Sequence, residues 1–183
     1  GDLALIKTQT ASSSASISFV DGASSVVLDN TYKEYIFYFN NIHPATDNAK
    51  LTFQASTDTG SSYGVTITST RFYAFHREND ATPELAYDGS EDLAQSTDFQ
   101  NVTGGIGNGN DEVGSGYIHL FNPSSTTFVK HFIVNANSYH GLDASLNAYT
   151  AGYYNSTSAI DAIQFKMGSG NIDAGTISLY GVV

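Results

Sequence analysis

Residues 51–56 read LTFQAS and residues 163–167 read IQFKM. In both segments apolar side chains alternate with polar ones, which is the pattern of a strand that buries one face. The same period of two recurs at Ile17 and Phe19, at Val65 and Ile67, and at Ile177 and Leu179. No stretch combines apolar positions at helical spacing with a convincing N-cap. The sequence therefore predicts a chain built from strands.

Two further segments are apolar on both faces, residues 35–39 (YIFYF) and residues 128–134 (FVKHFIV). Such strands usually lie centrally, with one face in the core and the other covered by a loop or a neighbouring subunit. Clusters of Asp, Asn, Gly and Pro separate the strand segments and predict turns. About ten short strands divided by such turns predict an all-β fold, an antiparallel β-sandwich that is jelly-roll-like.

The domain organisation follows from the same pattern. Residues 15–183 show no break in composition and are expected to form a single sandwich domain. Residues 1–14 are polar apart from a short apolar start, which predicts a flexible or docking N-terminal arm. In that arm, Leu3, Leu5 and Ile6 are the side chains expected to contact a neighbouring subunit.

Composition excludes several classes of function. Seven Lys and Arg against eighteen Asp and Glu give a net charge of −11, which opposes binding to a phosphate backbone. The absence of cysteine excludes disulfides, thiolate metal sites and cysteine nucleophiles. No apolar run approaches the roughly 20 residues of a membrane span. Neither a nucleic acid nor a membrane is expected as a partner.

Residues 71–112 form the irregular part of the sequence and are rich in acidic and amide side chains. Long loops inside a compact domain are usually functional or mobile. We therefore expect the contact surface here, and the side chains expected to form it are Glu78, Asp80, Tyr87, Asp88, Asn108 and Asn110. The glycine-rich run at 104–107 is expected to be a flexible loop, because no helix follows it to hold a phosphate.

Calcium is the one metal ion that this segment suggests. Asp111 and Glu112 follow a run of Asn and Gly, and a hard cation prefers carboxylate and amide oxygens. The spacing matches no established calcium loop. A possible calcium site at these two residues is the only cofactor expected.

Catalytic constellations are weak in this sequence. None of the five histidines has a second histidine at the spacing that places two ligands on one element, and the Gly-Ser-Gly triplets at 114–116 and 168–170 do not fit the nucleophile elbow. Paired carboxylates among Glu78, Glu84 and Glu91 leave a polysaccharide-degrading enzyme as a third hypothesis. A non-enzymatic protein is the preferred interpretation.

Three stretches carry a resemblance to a known group of proteins: residues 32–47 (YKEYIFYFNNIHPATD), 51–63 (LTFQASTDTGSSY) and 175–182 (GTISLYGV). In this order they resemble virion proteins of tailed bacteriophages, many of them marine. In those proteins an aromatic strand precedes a Ser-x-Asp-x-Gly-x-x-Tyr turn, and the chain closes on Ile-x-Leu-Tyr-Gly.

The resemblance implies a non-enzymatic virion structural protein, a capsid decoration protein or the head of a tail fibre, displayed on the particle surface. It implies a homo-oligomer, preferably a trimer, that contacts other virion proteins of the capsid or tail. The implied location is the virion, after assembly in the host cytoplasm. The alternative is a carbohydrate-binding or receptor-binding module at a fibre tip, with a host surface glycan as partner.

Overall fold

The computed structural model describes residues 1–81 and 83–183, and these form an all-β chain without a helix. The twelve strands are β1 (Leu3–Thr10), β2 (Ile17–Val20), β3 (Glu34–Pro44), β4 (Leu51–Ser56), β5 (Ile67–Arg77), β6 (Glu84–Tyr87), β7 (Gln100–Asn101), β8 (Gly114–Phe121), β9 (Lys130–His140), β10 (Ala144–Tyr154), β11 (Ala162–Met167) and β12 (Ile172–Val182). The described part of the chain thus contains no helix able to cross a membrane.

The strands form two antiparallel sheets of unequal size. The large sheet has eight strands in the order β1-β12-β3-β8-β9-β10-β5-β6, and the small sheet has four in the order β2-β11-β4-β7. The predicted all-β antiparallel sandwich is confirmed. The two segments that are apolar on both faces lie centrally, since β3 is flanked by β12 and β8 and β9 by β8 and β10.

Aromatic side chains fill the core between the sheets. The ring of Phe53 on the small sheet meets Phe132 of the large sheet edge to face at 5.2 Å, and Phe37 packs on Phe19 at 5.4 Å. These rings are almost completely buried, so they supply the apolar burial that Leu and Ile supply in other sandwiches.

Strand β4 of the small sheet is buried on both faces, which its alternation does not predict, whereas most outward positions of β2 and β11 are half-buried. The polar side chains of β4 are buried because residues 97–99 lie across them. Gln54 Nε2 donates to the carbonyl oxygens of Thr97 and Asp98, and the Lys166 ammonium lies 4.1 Å from the Phe99 ring centre. The outward side of β4 is therefore closed by the chain itself.

The N-terminal segment differs from the prediction of a flexible arm. Residues 3–10 form β1, which pairs with β12 from Leu3 opposite Val182 to Thr10 opposite Thr176. A bulge follows Leu5, and Ile6 packs against the core of its own chain. The arm is ordered by its own sheet, because β12 offers a free edge that β1 satisfies. The docking role of Leu3 and Leu5, which are both exposed, stays a prediction.

The segment predicted as irregular, residues 71–112, also differs from expectation. Its first part is strand β5, and the run at 104–107 is buried rather than flexible. A Cβ on Gly104 would lie 2.6 Å from a methyl carbon of Leu146, and one on Gly105 would lie 2.0 Å from Asn48 Oδ1. These glycines allow close packing of backbone against side chains.

Candidate functional site

On the side of the large sheet that faces away from the small sheet, all side chains but Ser178 are half-buried or exposed, so residues 1–81 and 83–183 leave this side uncovered. We name this side the outer face and define it by strand alternation and register. Its side chains are Leu3, Leu5, Thr8, Thr10, Glu34, Ile36, Tyr38, Asn40, Thr68, Thr70, Phe72, Ala74, His76, Leu85, Tyr87, Ser115, Tyr117, His119, Phe121, His131, Ile133, Asn135, Asn137, Tyr139, Ser145, Asn147, Tyr149, Ala151, Tyr153, Thr176, Ser178, Tyr180 and Val182.

The outer face is almost free of charge. Among its side chains Glu34 is the one carboxylate, and none is Lys or Arg. Glu34 Oε2 lies 2.8 Å from His119 Nε2, so this charge has a partner within the face. On a chain with a net charge of −11, the acidic residues are therefore concentrated on the loops and rims.

Aromatic side chains occupy neighbouring positions across the strands of the outer face. Phe72 and Tyr149 stack with ring centres 4.9 Å apart and planes 9° from parallel. Tyr38 contacts Tyr117 at 6.1 Å and Tyr180 at 5.7 Å. Because Phe72 and Tyr149 each expose at least 40% of their surface, these rings offer apolar area to a partner.

Amide side chains between the aromatic residues are fixed by the sheet. Asn137 Nδ2 donates to Ser145 Oγ at 2.9 Å, and Asn135 Nδ2 donates to Asn147 Oδ1 at 3.4 Å. A groove of about 530 Å³ lies elsewhere on the outer face, and Ile133 and Ala151 are among its lining residues. The outer face thus combines fixed polar groups with exposed apolar ones, as protein interfaces do.

A second feature is a depression at one end of the outer face, with a volume of about 660 Å³. We name it the polar depression. Its lining residues are Thr10, Asn40, Asn41, His43, Asn110, Asp111, Val113, Ala174, Gly175 and Thr176.

Bulges in two adjacent strands create the polar depression. The register shifts between Phe39 and Ile42 in β3 and between Ala174 and Thr176 in β12. Gly175 has φ +109°, and a Cβ there would lie 2.5 Å from the carbonyl oxygen of Asn41. Since bulges bend strands and redirect side chains, the pair opens the sheet at this point.

The six predicted contact residues do not form one surface. Asn110 lines the polar depression, and Tyr87 lies on the outer face. Glu78 and Asp80 lie in the turn after β5, where Asp80 is bonded to His76. The nearby Glu78 carboxylate raises the pKa of the Tyr139 phenol to about 12. The remaining two differ in role: Asp88 is bound to buried Arg71, and the Asn108 N–H donates to Asp47.

The two predicted calcium ligands point to different partners. Glu112 Oε2 accepts a hydrogen bond from the Gly109 N–H at 2.6 Å, whereas Asp111 lines the polar depression. Within residues 1–81 and 83–183, no group of three or more His, Asp or Glu side chains is placed to hold a metal ion. A calcium site here stays a prediction.

Two buried cations escaped the sequence analysis. Arg71 faces the interior from β5, and its guanidinium donates to Asp88, to Thr150 Oγ1 and to the carbonyl of Thr103. Lys130 is fully buried on β9, where its ammonium donates to two loop carbonyls. Burial lowers the pKa of both groups. The available signal was the position of Lys130 between Phe128 and Phe132 in the alternation, but alternation alone assigns charges to the solvent side.

Comparison with known proteins adds no assignment. No protein-family model, curated protein sequence or solved structure matches the chain.

Proposed function

We propose that this chain is a non-enzymatic structural component of a tailed-phage virion, and that copies of it assemble through the outer face. The observation that carries the proposal is the near absence of charge on that face in a chain with a net charge of −11. The resemblance of residues 32–47, 51–63 and 175–182 to phage virion proteins supplies the biological setting.

Electrostatics favours a second copy of the chain as the occupant of this face. Two identical acidic proteins repel each other wherever their loops and rims approach. The outer face lets two copies meet without placing like charges opposite each other, which otherwise costs several kcal/mol. A basic partner would instead favour an acidic contact surface.

The size of the outer face is sufficient for a stable contact. The eight strands contain 75 residues in total, and with a rise of about 3.4 Å per residue and a strand spacing of about 4.8 Å they give a face of about 1,200 Å². Specific interfaces bury roughly 800 Å² on each partner. Exposed Ile133 and Tyr149 lie near the middle of the sheet, where contact residues contribute most.

The charged side chains also favour a structural interpretation. The three best-defined carboxylate pairs hold the fold together: Glu34 with His119, Asp88 with Arg71, and Glu91 with Lys50. Of the three carboxylates considered for an enzyme, Glu78, Glu84 and Glu91, the last binds Lys50 and Asn101 and is therefore already engaged.

The proposed assembly is the trimer that the resemblance implies, on the capsid surface or at the head of a tail fibre. In a trimer, each copy turns its outer face toward the symmetry axis, and one part of that face contacts a different part of the next copy's outer face. The acidic loops then face outward, which keeps the assembled particle soluble.

The assembly is tested by measuring molar mass with light scattering at micromolar concentration. Ile133→Glu places a carboxylate in the centre of the outer face, and we expect it to convert the oligomer to monomer. Phe128→Glu is the matched control, because Phe128 is exposed but lies in the loop before β9. Thermal unfolding of both variants shows that each is folded.

A monomeric wild-type protein, or an Ile133→Glu variant that keeps the wild-type mass, contradicts the assembly proposal. The virion assignment is tested separately by electron cryo-microscopy of the phage that encodes the chain. Density on the capsid lattice supports decoration, density at the tail supports a fibre head, and absence from the particle overturns the assignment.

A further inference from the structure

We propose that the polar depression binds a neutral carbohydrate. The side chains of Asn40, Asn41, Asn110 and Asp111 are the groups that receive the sugar hydroxyls. The depression lies at one end of the outer face, with which it shares Thr10, Asn40 and Thr176, and it is completed by the loop before β8. The inference therefore requires that an assembly through the outer face leaves this end uncovered.

The dimensions of the polar depression suit a small ligand. Its volume of about 660 Å³ lies within the roughly 300–1,000 Å³ of known ligand sites. Its floor lies on β3 and β12, whose pairing resumes on both sides of the bulges at Thr176 opposite Asn40 and Ala174 opposite His43, and its rim is completed by the loop before β8. A preformed floor lowers the entropy lost on binding.

The polar groups of the depression are available to a ligand. Within the described chain, no hydrogen bond to protein is made by the side chains of Asn40, Asn41, Asn110 or Asp111. Asparagines elsewhere on the outer face behave differently, since Asn135 and Asn137 are bonded to neighbouring strands. Amide groups that converge on a depression without internal partners are suited to bind an external one.

Asn41, at the bulge of β3, is one of ten non-glycine residues in the described chain with a positive φ. Its φ is +52°, a left-handed conformation that residues other than Gly adopt at a cost, which is smaller for Asn than for most. Its N–H is held by Ser115 Oγ at 3.0 Å, so the neighbouring strand enforces the conformation. Residues kept in such conformations concentrate at binding sites, where the strain orients a functional side chain.

The side chains that line the polar depression favour one chemical class of ligand. Amides both donate and accept hydrogen bonds, as sugar hydroxyls do. Val113 and Ala174 add small apolar surface for the C–H groups of a sugar ring. Asp111, together with the net charge of −11, disfavours sialylated, sulfated or phosphorylated ligands. A neutral glycan fits these constraints best.

The test is binding of the wild-type protein to a printed array of neutral, sialylated and sulfated oligosaccharides, followed by calorimetric titration with the neutral oligosaccharide that binds most tightly. Two variants remove amides from the depression, Asn41→Gly and Asn110→Ala. Asn41→Gly deletes the side chain while retaining a residue that adopts φ +52° freely.

A matched control is Asn122→Gly, which makes the same change at another positive-φ position, φ +45°. Asn122 follows the end of β8 that pairs with Glu34, at the opposite end of β3 from Asn41. We expect binding about tenfold weaker for each depression variant, as for the loss of one hydrogen bond, and unchanged binding for Asn122→Gly.

Array binding confined to anionic glycans, or no binding at all, overturns the proposal. So does neutral-glycan binding that survives both depression variants. The molar mass of each variant is measured in the same samples. Loss of glycan binding by a variant that keeps the wild-type oligomer supports the depression as the site. If glycan binding is lost only in variants that dissociate, the proposal is overturned in favour of a site formed between copies.

Discussion

Arg71 and Asp88 are joined twice, by side chain and by backbone. The Arg71 Nε donates to Asp88 Oδ2 at 3.3 Å, and the Asp88 N–H donates to the Arg71 carbonyl at 2.9 Å. The same guanidinium reaches the carbonyl oxygens of residues 101 and 103. One buried side chain therefore fixes both ends of residues 88–103, the segment that covers β4.

Replacement of Arg71 by Met leaves Asp88 and the loop carbonyls without their donor. Loss of one partner of a buried pair typically costs about 3–5 kcal/mol, and we expect a reduction of this size in the free energy of unfolding in urea. Lys33→Met removes one positive charge from an exposed position and should have little effect. Equal stabilities of the two variants would show that the guanidinium is not an anchor.

The core rings make a prediction about packing. Phe53 contacts Phe132, Tyr154 and Phe165, and its truncation to Ala leaves a cavity between the two sheets. The expected loss is about 3–5 kcal/mol, measured by urea unfolding. Phe128→Ala, at a position 68% exposed, provides the comparison and is expected to change stability by less than about 0.5 kcal/mol.

A comparison of Gly22 with Gly175 distinguishes the cost of a positive φ from the cost of a steric clash. Gly22 and Gly175 both have positive φ, but a Cβ on Gly22 would meet nothing within 4 Å, whereas one on Gly175 would meet the Asn41 carbonyl at 2.5 Å. Gly22→Ala should cost about 1–2 kcal/mol for the conformation alone. Gly175→Ala should cost more by differential scanning calorimetry, and equal costs would mean that the bulge yields easily.

Acid sensitivity is expected from the turn after β4. Hydrogen bonds from Ser56 and Ser62 lower the pKa of Asp58 to about 2 from 3.8. A lowered carboxyl pKa adds stability that is present above the unfolded value and lost as pH falls through the folded value. Wild-type stability should thus fall between pH 3.8 and about 2 more steeply than that of Asp58→Asn. An identical pH profile for both proteins would exclude this contribution.

The absence of cysteine allows single thiols to report on the outer face. Ala74 lies on the outer face and Ala94 on a loop, and both are exposed in the single chain. If copies cover the outer face, Ala74→Cys should react with a maleimide more slowly than Ala94→Cys in the oligomer. The difference should vanish on dilution to monomer. Equal rates in the oligomer would place the contact elsewhere.

Local pattern in the sequence is sufficient to predict the strands but not what covers them. The alternation of residues 51–56 correctly places Phe53 in the core. It does not predict that Gln54 is buried too, because the covering residues 97–99 lie far along the chain and carry no periodic signal. Similarly, the need for glycine at position 104 arises from contact with Leu146, which only the tertiary structure reveals.

The candidate sites were less predictable than the fold. Asn110 and Asp111 were singled out, but their neighbours Asn40 and Gly175 come from two other strands. Residues 35–39 and 128–134 are apolar on both faces of their strands, and this pattern predicted that a second face of the sheet would be covered by a loop or a neighbouring subunit. Its lack of charge became visible only when strand order and register placed side chains from eight strands side by side.

The pairing of β1 with β12 also governs how the molecule responds to mechanical load. Both chain ends leave the sheet at one corner, where the Val183 N–H donates to the Asp2 carbonyl. Tension applied through the two ends acts across this pair of strands and loads its hydrogen bonds one after another. The hydrogen bonds between β1 and β12 therefore break one at a time and at low force. A force that presses on the face of the large sheet is instead distributed over many strands.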